Sequence, residues 1–154
     1  MTGIVQSMTN SFKSEVLSAQ HNFSTSSRTI TGQDVFKIAL YSVANGANID
    51  ATTTAYTTTG EVTGAGYTAG GETLTVTQVP TTSGLPSTTA YINFANISWG
   101  AATFSADGAL IYNSTNGNKS VAVLSFGSTK TVSIGTFTIQ FPAAGTGSAI
   151  VQIE

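Results

Sequence analysis

Cysteine is absent from this chain of 154 residues, so neither a disulfide framework nor a thiolate metal site is available to it. Charge is nearly as scarce: Lys, Arg, Asp and Glu make up 8% of the residues, where about 25% is usual. Five Lys plus Arg against seven acids leave a formal net charge of -2. That balance offers no basic footprint for a phosphate backbone, and nucleic acid is not an expected partner. It also repels copies of the same chain only weakly, which suits a protein that assembles. No stretch of about 18 apolar residues is present, and the first residues lack the basic start and apolar run of a secretion signal. The expectation is a protein made in the cytoplasm, with no membrane partner.

The polar surface must then be built from Thr, Ser, Asn and Gly. Thr suits exposed strand faces, because it is β-branched and packs on a pleated sheet while its hydroxyl still meets water. The length fits one domain with a single core, burying roughly 68–70% of the surface of the unfolded chain. Hydrophobic residues make up 40% and recur in strand-length patches, which argues against disorder.

The segment from Ser7 to Asn22 is the one convincing helix, with Met8, Phe12, Val16 and Ala19 spaced for one face and Asn10 or Ser11 as candidate N-cap. A helix this short is marginal alone, so it must dock either on the protein's own sheet or on a partner. A Ser/Thr-rich connector runs from Ser24 to Gly32. From Val35 the period changes to two: Phe36, Ile38 and Leu40 share one face of a half-buried strand. Residues 44–71 are rich in Gly and Thr and poor in large apolar side chains. They read as a long excursion, and a loop of more than about 12–15 residues is a place to look for a contact surface.

Strand patterns follow at 73–79, 91–99, 108–113, 120–126, 136–141 and 149–154, with turns expected at Pro80 to Pro86, Asp107-Gly108 and Asn116-Gly117. Seven or so strands without alternating helices predict an all-β, two-sheet antiparallel β-sandwich, jelly-roll-like or immunoglobulin-like, with a short N-terminal helix or arm. The arm is assigned to residues 1–32 and the sandwich to 33–154.

Residues that could carry chemistry are few. His21 is the only histidine; it lies near the end of the helix, suited to the helix-end carbonyls, and no GxSxG elbow accompanies it. The acids Glu15, Asp34, Asp50, Glu61, Glu72, Asp107 and Glu154 are scattered singly, whereas glycoside hydrolysis needs two carboxyl groups about 5–10 Å apart. Asp107-Gly108 lacks the alternating acids of a calcium loop. GAGYTAGG at 64–71 lacks the helix and the Lys of a phosphate loop, and its glycines read as tight turns beside Tyr67. Sequons at Asn22, Asn96, Asn113 and Asn118 are what a chain rich in Asn, Ser and Thr produces by chance. Trp99 with Tyr41, Tyr56, Tyr67, Tyr91 and Tyr112 fits a sandwich core or subunit interface better than a glycan platform. No enzyme activity, cofactor or metal is expected.

FKIALY at 36–41, TTTAYTTTGEVTGAGYTAGG at 52–71, GALIYN at 108–113, KSVAVLSFG at 119–127, FTIQFP at 137–142 and the closing AIVQIE resemble a family of small virion structural proteins of tailed bacteriophages. The resemblance implies a particle component, and within that class a capsid decoration or cement protein on the head surface, with the major capsid protein as partner. A homotrimer is favoured over a dimer, because many capsid sites have local threefold symmetry. The arm or the 44–71 excursion would grip the shell. Phe12, Val16, Leu17 and Phe23 are the expected contacts on the arm, burying against a neighbouring subunit or the capsid, and Tyr56 and Tyr67 those on the excursion. A neck, tail or fibre subunit and a carbohydrate-binding adhesion module are the rival expectations.

Overall fold

Apolar side chains at every second position put Phe36, Ile38 and Leu40 on one face of a strand, and in a computed structural model of the chain all three are fully buried there. The structure describes residues 3–24, 32–81, 89–142 and 149–153. Its strands are β1 (Ser7–Met8), β2 (Phe36–Tyr41), β3 (Glu72–Leu74), β4 (Val76–Thr81), β5 (Ala90–Phe94), β6 (Ile97–Asn113), β7 (Lys119–Ile139) and β8 (Val151–Ile153), with one α-helix, α1 (Asn10–Leu17). They form two antiparallel sheets, one of order β1-β7-β6-β2-β3 and one of order β4-β5-β8. The protein is therefore an all-β two-sheet sandwich.

The main core lies between the sheets and is built from Phe36, Ile38, Leu40, Phe94, Trp99, Phe104 and Ile111 among others. A second cluster covers the other face of the larger sheet, where Ala39, Tyr41, Leu110, Tyr112 and Val123 meet Ala47 and Ile49. So β2 is buried on both faces rather than half-buried. The covering comes from the 44–71 excursion, which folds back over the sheet and is tied to it by bridges from Glu61 to Tyr41, Ala55 to Lys119 and Ala65 to Thr103.

Two expected strands change sheet midway. The 73–79 run breaks at Thr75, whose carbonyl accepts the Ala95 N–H, so β3 belongs to the larger sheet and β4 to the smaller. The 91–99 run breaks in the same way between Phe94 and Ile97. Strands that pass between sheets at such corners hold a sandwich together at its rim.

The expected strands at 108–113, 120–126 and 136–141 become parts of two long ones, while that at 149–154 stands alone as β8. β6 has 17 residues and β7 has 21, paired from Ile97 with Ile139 to Asn113 with Lys119. Asn116-Gly117 lies in the hairpin loop between them, as expected. Asp107-Gly108 is not a turn but the interior of β6. A Cβ on Gly108 would lie 2.3 Å from the Leu124 carbonyl oxygen, so the glycine serves close strand approach rather than chain reversal.

Helix α1 is shorter than the expected 7–22. Ser7 and Met8 are drawn into pairing with Val123 and Ala122, and Thr9 becomes the N-cap in place of Asn10 or Ser11. The Thr9 hydroxyl bonds the carbonyls of Ser120 and Val121 instead of capping the helix. The helix ends at Ser18, and Ala19 turns left-handed at φ 55°. The described part of the 1–32 segment thus docks on the sandwich and shares its core. Pro80, expected to open a turn, instead lies in β4; residues 82–86 of that turn and most of the Ser24 to Gly32 connector lie outside the described residues.

Candidate partner-binding surface

The helix α1 has too few residues to hold its shape alone, so its position depends on what anchors it. Glu15, on its inner side, accepts hydrogen bonds from Lys119 Nζ at 2.7 Å and from His21 Nε2 at 2.8 Å. The imidazole is fully buried and does not reach the helix-end carbonyls expected for it. Its Nδ1 accepts from Asn113 Nδ2 at 3.2 Å, which leaves the ring proton on Nε2. The Asn113 amide is itself fixed: Nδ2 also donates to Asp34 at 2.7 Å, and Oδ1 accepts the N–H groups of Thr115 and Asn116. Both nitrogens of the His21 ring are thus engaged within the chain. The role of the Glu15–His21 pair is to fasten the helix to the start of β7 and to the hairpin loop.

Burial opposes ionisation of Glu15, but hydrogen bonds from Lys119 and His21 outweigh it and hold the carboxyl below its ordinary value. A carboxyl whose folded value is depressed stabilises the fold above its unfolded value and loses that stabilisation as pH falls through the folded one. Glu15→Gln is therefore expected to be less stable than the parent at neutral pH, with the gap narrowing as pH drops below about 4.5. Thermal melts of both proteins across that range check this, and a gap independent of pH would show that the carboxylate charge is not what fastens the helix.

With the helix anchored, its outer side presents apolar groups. Phe12 and Phe23, expected to bury against a neighbour, are 1% and 7% exposed within the chain's own core. The Phe23 ring stacks on Phe36 at 4.2 Å, so two of the four expected arm contacts are spent on internal packing. Val16 is half-buried, and Leu17 is 90% exposed. Beside them lie two adjoining hollows. One, of about 340 Å³, is lined by Met8, Phe12, Lys13, Val16, Leu17 and Gln152; the other, of about 120 Å³, runs from Phe12 and Val16 towards Pro80 and Tyr91. Leu17, Val16 and the larger hollow form one apolar surface.

The excursion residues are placed elsewhere. Tyr56 and Tyr67 are half-buried, and each donates its hydroxyl to the Glu61 carboxylate at 2.7 Å. The Gly70 N–H supplies a third donor at 2.7 Å. Burial, and next to it the hydrogen bond to Glu61, push both phenols well above the usual tyrosine range. Glu61 is thus a buried, satisfied acceptor rather than a solvated acid. Tyr41, Tyr91, Tyr112 and Trp99 are all buried, so these rings offer no exposed stacking platform. Asp107 likewise binds inward, accepting from Ser42, Val43 N–H and Thr129. Among the described residues no group of three His, Asp or Glu is placed to hold a metal ion, and no helix is long and apolar enough to cross a membrane.

No family model, curated protein or solved structure matches this chain.

Proposed function

We propose that the protein is a non-enzymatic structural component of a bacteriophage particle, a decoration or cement protein that binds the major capsid protein on the outside of the head as a homo-oligomer. The observation that carries this reading is Leu17, 90% exposed beside an apolar hollow on a helix fixed by buried polar contacts. An exposed apolar anchor on a rigid support is what recognition of a repeated protein surface requires, because little ordering entropy is lost on contact. The sparse charge and the resemblance of the strand segments to small virion proteins support the same class. A neck, tail or fibre subunit would use the same fold around another axis. The adhesion reading draws nothing from the aromatic set, whose rings are buried or engaged.

Co-sedimentation of the purified protein with capsids that lack it tests the proposal, with saturation at a fixed ratio to the capsid subunit as the expected result. Leu17→Asp is expected to weaken binding about tenfold or more. Because the residue is exposed, its melting temperature should stay within about 2 °C of the parent's. Failure of the parent to sediment with capsids overturns the head assignment; full binding by Leu17→Asp overturns the assignment of the surface.

A further inference from the structure

The strand β7 has an unpartnered side. On one edge it pairs with β6, with bulges at residues 126–129 and around Ile134, but on the other β1 covers only Ala122 and Val123. From Leu124 to Ile139 no strand or bridge of the described residues pairs with that second edge. An open edge of this length is a template for another chain, and monomeric proteins blunt such edges with charges, prolines or bulges, of which this edge has only the bulges and one charge. Here Lys130 is the sole charge between Leu124 and Gln140, and there is no proline.

Midway along this edge stands Ile134. It has φ 47°, the left-handed region that a β-branched residue avoids, and it is 88% exposed. The register with β6 shifts around it, and its N–H is held inward by the Thr103 hydroxyl at 3.0 Å. The fold thus maintains a strained conformation whose result is an apolar side chain in solvent. Such strain persists only where the surroundings impose it, here the bulge against β6 and the bond to Thr103, and neither requires the side chain to be apolar.

We infer that the edge of β7 is a self-association surface, pairing antiparallel with the same edge of a second copy across a twofold axis that passes close to Ile134. A twofold interface brings the same patch together on both subunits, so an on-axis Ile134 meets its own copy. Charge fits this register: counting outward from Ile134, Lys130 of one copy falls opposite Thr138 of the other, and the two lysines do not oppose each other. Lys130 and Thr138 also border a hollow of about 440 Å³ floored by Phe126, Phe137 and Ile139. Each hollow would flank the axis and receive the facing strand. The assembly is then a dimer rather than the trimer that capsid symmetry alone favours, and it does not depend on the capsid reading.

Light scattering over a concentration series is expected to give a mass converging on twice 15.7 kDa. Ile134→Asp, which tolerates the left-handed backbone but places like charges at the axis, should weaken dimerisation about tenfold or more. Ile134→Gly should raise the melting temperature of the dilute monomer by removing strain while still weakening the dimer, a pair of opposite effects that a purely structural role would not produce. Since the chain has no cysteine, Ile134→Cys should cross-link into a disulfide dimer readily, and Leu17→Cys, equally exposed, should not. A monomer or trimer at all concentrations overturns the inference, as does an Ile134→Asp mass equal to the parent's or equal cross-linking by the two cysteine variants.

Discussion

Glu61→Ala is expected to lower the unfolding free energy by about 3 kcal/mol or more, since it strips the acceptor from two phenol hydroxyls and a buried N–H at once. For a chain of this size that corresponds to a fall in melting temperature of about 6–12 °C. Glu61→Gln should be milder. Its amide oxygen still serves two donors, and the Tyr56 hydroxyl can turn to accept from the amide nitrogen. The loss should also be local at first. The excursion contributes few large apolar side chains, and Tyr56, Tyr67 and Gly70 converge on this one carboxylate, so amide exchange should accelerate over residues 44–71 before it does in β2 and β6. A Glu61→Ala protein that melts within about 2 °C of the parent would show that the apolar contacts of Ala47, Ile49 and Val62 hold the excursion without the carboxylate.

The same residue marks where the sequence stops being informative. Phe36, Ile38 and Leu40 announced β2 because a strand with one face in the main core repeats its apolar residues every two positions. Asn116-Gly117 announced the hairpin because few residue pairs turn a chain so tightly. The sheet changes at Thr75 and after Phe94 were invisible, since alternation runs straight through them and which sheet accepts the hydrogen bonds is a tertiary matter. Asp107-Gly108 misled for the opposite reason. The turn chemistry is present, but a close approach by the Leu124 carbonyl also calls for glycine. Glu61 sits among Gly and Thr, where an acid is usually solvated. The one legible hint was the pair of tyrosines five and six positions away in a segment otherwise short of large side chains. Glu15 and Lys119 are 104 residues apart, and no local pattern could join them. Of the candidate surface, the helix and Leu17 were readable, while the exchange of Phe12 and Phe23 from external contact to internal core was not.

That exchange sets up the second large effect. Phe12→Ala is expected to destabilise the protein by about 3–5 kcal/mol, because a fully buried aromatic ring is replaced by a cavity in a core that closes only in part. The ring lies edge-on to His21 at 4.9 Å and to Phe23 at 6.1 Å, so its loss also loosens the packing around the Glu15 anchor. It is common to both hollows beside α1, and their shape should change with it. Phe12→Leu, which keeps most of the volume, should recover much of the stability. Set beside Leu17→Asp, the pair separates two roles on one helix: Phe12→Ala lowers the urea midpoint of the free protein, while Leu17→Asp leaves that midpoint in place and weakens capsid binding. If Phe12→Ala instead costs less than about 1 kcal/mol in the free protein and its destabilisation emerges only on the particle, then the N-terminal segment is an arm that completes its core on a neighbour, the second of the two dockings that the sequence left open.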